Sequence, residues 1–114
     1  MEIYYKIVEI ENDQIKTLFH GINHSRVLKK DVWIAADKKF VNDGDGTSYL
    51  SGLHIMLSYD ECIKYLQKFK NKKTKGIITC HAKFLRRKEH SPHNVYLADC
   101  IKIVDIVYQN SSTM

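Results

Sequence analysis

The chain has 114 residues, with 18 Lys or Arg against 13 Asp or Glu and a formal net charge of +5. That length suits one domain with a single core. A hydrophobic fraction of 44% with seven tyrosines, four phenylalanines and one tryptophan excludes a disordered chain, and no apolar run approaches the ~20 residues that span a bilayer.

The N-terminus, MEIYYKIVEIEND, lacks the basic-then-apolar order of a signal peptide, so a cytoplasmic protein is expected. Residues 2–10 place Ile3, Tyr5, Ile7 and Ile10 in loose alternation, which predicts a strand whose edge a second copy of the chain could pair with, giving a homodimer. Asn12-Asp13 predicts a turn and residues 15–20 a second strand, together an N-terminal hairpin. Residues 21–30 read as a polar loop, and Val32 to Ala36 as a short buried strand or a helical turn. Asn42-Asp43-Gly44-Asp45-Gly46-Thr47 holds two Asx-Gly steps and is the strongest turn signal. As a calcium loop it fails, because alignment on Gly46 puts Val41 and Gly52 at ligand positions.

Leu53 to Leu57 reads as a buried strand, and Ser58-Tyr59-Asp60-Glu61 as a capping box that opens a helix. The helix is expected to run to about Lys70, burying Cys62, Ile63, Leu66 and Phe69. A charged loop over 71–76, a strand over 77–84, a basic loop over 85–94 and a last strand from 95 with a bend at Asp99 complete the domain. Residues 1–109 are thus one domain, with 110–114 a flexible tail. The fold class expected is α+β, a mostly antiparallel sheet packed by one main helix over about 59–70.

Cys62, Cys80 and Cys100 are odd in number and far apart, which predicts reduced thiols and no metal or redox motif. No cofactor is implied.

The charge is strongly segregated. Between Cys62 and Lys88 there are ten basic residues and no acidic one, whereas the other 87 residues hold 8 basic against 13 acidic. A surface evolved only for solubility intersperses both signs, so this block predicts an anionic partner: a nucleic acid, a nucleotide or an acidic protein surface. Lys72, Lys73, Lys75, Arg86, Arg87 and Lys88 are the candidates for charge, with the helix end and the two basic loops expected to converge. Two further loops, His20 to Arg26 and Lys88 to Asn94, each hold two histidines, a His-Ser step and a basic residue. Arg26, His90 and Ser91 are therefore candidates for directional contacts to phosphate. His20/His24 and His90/His93 lack the cysteine or carboxylate partners of a zinc signature, so no metal is assigned.

No nucleophile elbow or assignable Cys–His pair is present, and catalytic residues stay unassigned. The leading reading is a small basic binding module rather than an enzyme. Two alternatives belong to other classes: a phage-encoded inhibitor that docks a host defence protein, and a small transferase or hydrolase using His20, His54 or His90.

Tyr49-Leu50-Ser51-Gly52-Leu53-His54, the Glu61-Cys62-Ile63-Lys64-Tyr65-Leu66 helix, Lys88-Glu89-His90-Ser91 and Val95-Tyr96-Leu97-Ala98 follow one another in order. In that order the chain resembles, over roughly residues 33–104, a group of small bacterial and phage proteins. They share a Ser-Gly-x-His strand, a helix and a Lys-x-His-Ser loop. The resemblance implies a phage or bacterial context and no particular activity.

Overall fold

A computed structural model describes residues 2–18, 27–36, 40–42, 48–50, 52–69, 73–88 and 94–109. Its first element, β1 (Tyr4–Glu11), turns at Asn12-Asp13 into β2 (Gln14–Lys16). Both turn residues have positive φ, 52° and 63°, the backbone that a two-residue hairpin of type I′ requires and that Asn and Asp tolerate. Short strands β3 (Val27–Leu28), β4 (Trp33–Ala35), β5 (Phe40–Asn42), β6 (Ser48–Leu50) and β7 (Leu53–Met56) follow. Then come helix α1 (Tyr59–Leu66) and two long strands, β8 (Lys75–Arg87) and β9 (Val95–Gln109).

The architecture is mostly antiparallel β, which corrects the α+β expectation. The helix has eight residues instead of twelve. After Leu66 the backbone tightens into three-residue steps, with the Lys68 and Phe69 N–H groups donating to the Tyr65 and Leu66 carbonyls. The segment read as a basic loop from Leu85 is strand as far as Arg87. Lysine and arginine have little intrinsic strand preference, but the ladder with β9 supplies the hydrogen bonds that override it.

The pairings close on themselves: β1 pairs with β8, β8 with β9, β9 with β7, and β7 back with β1 at Tyr5–Met56. β1 also pairs with β2, so it is flanked on both sides and is not the free edge expected. Closure of this kind removes edges where the sequence alone suggests one. The β8–β9 hairpin can wrap the ring because its register slips twice, between Ile77 and Ile78 and between Thr79 and Cys80. Each slip bends and twists a long strand.

Two apolar clusters lie on opposite sides of the sheet. Inside the ring, Val8, Ile55, Ile78, Cys80, Ala98, Ile101 and Ile103 are fully buried. Outside, α1 covers Ile7, Met56, Ile77 and Val95 with Cys62 and Leu66. Ser58 caps this helix: its hydroxyl accepts from the Glu61 N–H at 3.2 Å. Ser58→Ala should cost about 1 kcal/mol in chemical denaturation. A change below a few tenths would mean that packing alone fixes the helix start.

All three cysteines are free thiols, Cys62 and Cys80 buried. Burial pushes Cys62 up to about 12 and Cys80 up to about 11, so both stay protonated near neutral pH.

Candidate functional site

β8 carries the basic block at its two ends, and its 13 residues correspond to a contour of about 40 Å. Lys73 and Lys75 lie at the start, while Arg86, Arg87 and Lys88 lie at the finish. One convergent surface is thereby excluded for these five. Lys75 is buried and its Nζ lies 3.0 Å from Glu9 Oε1, so its charge is used within the fold. Lys73 is exposed and borders a cavity of about 360 Å³ at the β1–β2 turn, whose lining residues include no histidine. Arg26, Lys72, His90 and Ser91 lie outside the described residues, as do His20, His24 and His93.

The far end of β8 makes a different surface. Register puts His54, Leu97 and Arg86 in one row across β7, β9 and β8. Residues directly opposite in a sheet share a face, and this row faces away from the ring. The next row outward-facing toward the hairpin tip is Met56, Val95 and Lys88, the last tied to the Val95 carbonyl through its own N–H. Arg86 donates to Asp99 Oδ1 at 2.6 Å and lies across Gly52, where a Cβ would come within 3.1 Å of Nη2. Gly52 therefore opens the space that the guanidinium fills.

Lys88 Nζ lies 3.2 Å from His54 Nε2. An ammonium has no lone pair, so it donates and the ring nitrogen accepts. His54 is exposed, on the outside of a strand whose alternate residues, Leu53 and Ile55, are buried. The expectation of a continuously buried strand thus fails at this residue. Arg87, on the neighbouring position, is exposed with Nη2 3.5 Å from Asn94 Oδ1.

The same face continues along the hairpin. Trp33, Lys102 and His81 form one row, and Ala35, Cys100 and Lys83 the next. Lys83 Nζ lies 4.2 Å from the centre of the Trp33 ring, a cation–π contact. Between these rows and Arg86 stands Phe84, 72% exposed and with φ of 59°. Ala98 and Ile101 both belong to the interior cluster although they are three residues apart. Strict alternation is therefore broken at Asp99 and Cys100, which both face outward, and opposite them Lys83 and Phe84 do the same. Positive φ at Phe84 is the backbone device that permits two successive outward side chains.

From Lys83 to Lys88, then, Lys83, Arg86 and Lys88 share the outward face of this strand end with the exposed Phe84, whereas Arg87 pairs with Tyr96 of the interior side. Lys83 belongs to the basic block of the sequence, whereas Trp33, Phe84 and Lys102 are not among the candidates that the sequence nominates. The signal available was the phenylalanine within Lys83-Phe84-Leu85-Arg86-Arg87-Lys88, an aromatic interleaved with cations. The contribution of Trp33 depends on register and has no local signature.

Among the described residues, no three His, Cys, Asp or Glu side chains gather as a metal site would require, and no helix is long and apolar enough to cross a membrane. Comparisons with protein-family models, curated proteins and solved structures find no match to this chain.

Proposed function

We propose that this protein is a nucleic-acid-binding module that meets phosphates with the outer face of the β8–β9 hairpin. Lys83, Lys88 and Lys102 supply the charge on this face, where Arg86 is paired with Asp99, and Arg87 adds to it from the end of β8. The observation that carries this reading is Phe84, held 72% exposed in a left-handed conformation amid these cations. A large aromatic side chain in that backbone region is rare and costs about 1–3 kcal/mol. Such strain is favoured where the side chain is needed at a surface, and base-stacking surfaces combine aromatic rings with positive charge.

Of the carboxylates near this face, Asp99 neutralises Arg86, Glu2 accepts from the Tyr4 hydroxyl beside His81, and Asp105 lies 3.9 Å from Lys30 at the opposite end of the hairpin. Arg26, Lys72, His90 and Ser91 remain candidates for further phosphate contacts, whereas Lys75 is dropped because Glu9 occupies it.

The test is fluorescence anisotropy with short labelled oligonucleotides from about 50 to 200 mM salt. Neutralising four or five phosphates gives a log–log slope of about −3 to −4, roughly a hundredfold loss across that range. Arg87→Ala with Lys88→Ala should reduce the slope by one to two. Absence of binding at the lower salt would remove nucleic acid as the partner and direct attention to a protein target.

A further inference from the structure

We infer that the nucleic acid taken by this face is single-stranded, with a base stacked on the Phe84 ring while the flanking cations hold the backbone. The inference rests on the nucleic-acid reading and adds the strandedness and the contact residue.

Three observations lead to it. First, Phe84 projects from a sheet and is exposed over 72% of its surface. A duplex presents phosphates on its outside and keeps the faces of its bases stacked, so a projecting ring gains little from it. An unpaired base offers its whole π-face. Second, the cations lie along the strand on either side of the ring: Lys83 precedes it, and Arg86 and Lys88 follow. That arrangement suits a backbone running along the hairpin past a stacked base. Third, the face is assembled from β7, β9, β8 and β4, and Arg86 is braced by Asp99 and by the space over Gly52. The ring therefore projects from a supported surface, which lowers the entropy lost on binding.

Trp33 adds a spectroscopic handle. It is the one tryptophan of the chain, half-exposed, with Lys83 over its ring. A strand bound across Phe84 draws Lys83 toward phosphate and alters the environment of the indole.

The decisive experiment is a cycle between protein and probe. Phe84→Asn removes the ring, and asparagine tolerates positive φ, so the variant keeps the wild-type melting temperature or exceeds it. Its affinity for a single-stranded oligonucleotide should fall about 5- to 100-fold. An oligonucleotide of the same length with abasic sites keeps the phosphates and removes the bases. It should bind the wild type about as weakly as the intact oligonucleotide binds Phe84→Asn, and Phe84→Asn should weaken it no further. Phe84→Tyr should retain affinity, and single-strand binding should quench Trp33 fluorescence.

Equal or tighter binding of a duplex, or wild-type affinity in Phe84→Asn, would overturn the single-strand inference while leaving nucleic-acid binding intact. Failure of every oligonucleotide to bind at about 50 mM salt would overturn both. The two readings therefore fail separately.

Discussion

Glu9→Ala is expected to lower the unfolding free energy by about 3–5 kcal/mol, far more than an exposed ion pair could account for. Glu9 and Lys75 face each other across β1 and β8, with side-chain exposures of only 17% and 10% and a 3.0 Å N–O separation. Phe69 closes over the ammonium, with its ring centre 5.9 Å away. Removing the carboxylate leaves the ammonium without its 3.0 Å partner in a largely buried position. Replacing both partners, Glu9→Leu with Lys75→Met, removes the charges together and should restore most of the loss. Urea denaturation of the two single variants and the double variant measures this directly. A cost below about 1 kcal/mol for Glu9→Ala would show that water reaches the pair. Lys75→Met within the double variant should also leave oligonucleotide affinity unchanged, because this charge is paired with Glu9.

Lys6→Met should stabilise the protein at pH 7 by about 1–3 kcal/mol, and the advantage should vanish as the pH approaches 10.5. Lys6 is 6% exposed and lies on the inner side of β1, opposite Ile78, with Nζ donating to the His54 carbonyl at 2.8 Å. Burial lowers its pKa from 10.5 to about 8, with smaller opposing effects from Cys80 and Cys62. Below pH 8 both folded and unfolded chains carry the proton, and the full cost of burying the charge weighs on the folded state. Between about 8 and 10.5 the folded amine is neutral while the unfolded one is still charged. Unfolding then takes up a proton, so stability rises with pH across that window and levels off above it.

A shift of this size corresponds to about 3 kcal/mol, from which the lost bond to the His54 carbonyl must be subtracted. Methionine keeps the length of the stem and dispenses with the charge. The measurement is the difference in unfolding free energy between the two proteins from pH 7 to 10.5, in which the titration of other lysines and tyrosines cancels. A difference independent of pH would show that Lys6 is hydrated and retains its ordinary pKa.

Charge segregation by itself points to one surface, because ten basic residues lie within 27. Sequence proximity translates into spatial proximity along a helix or in a compact loop. Along a strand it translates into distance, and the 13 residues of β8 carry Lys73 and Lys88 to opposite ends. Nothing local distinguishes Lys75 from Lys73. The burial of Lys75 depends on a carboxylate 66 residues away. Phe84 is hidden for the reverse reason, because an apolar residue in a strand ordinarily belongs to the core.

What this sequence determined by itself lies within about four residues of each signal. Ser58 accepts from the Glu61 N–H, and Asn12-Asp13 adopts the two positive φ angles of the first turn, because those energies involve only neighbouring backbone. The presence of a basic block is likewise a matter of composition. Tertiary structure alone decided that β1 is enclosed, that Lys6 and Lys75 are buried, and that Phe84 turns outward beside Arg86. Each of these depends on pairings between strands distant in the chain, whose register sets which face a side chain occupies. A slip of one residue in that register reverses the face, and no local pattern of residue types encodes it.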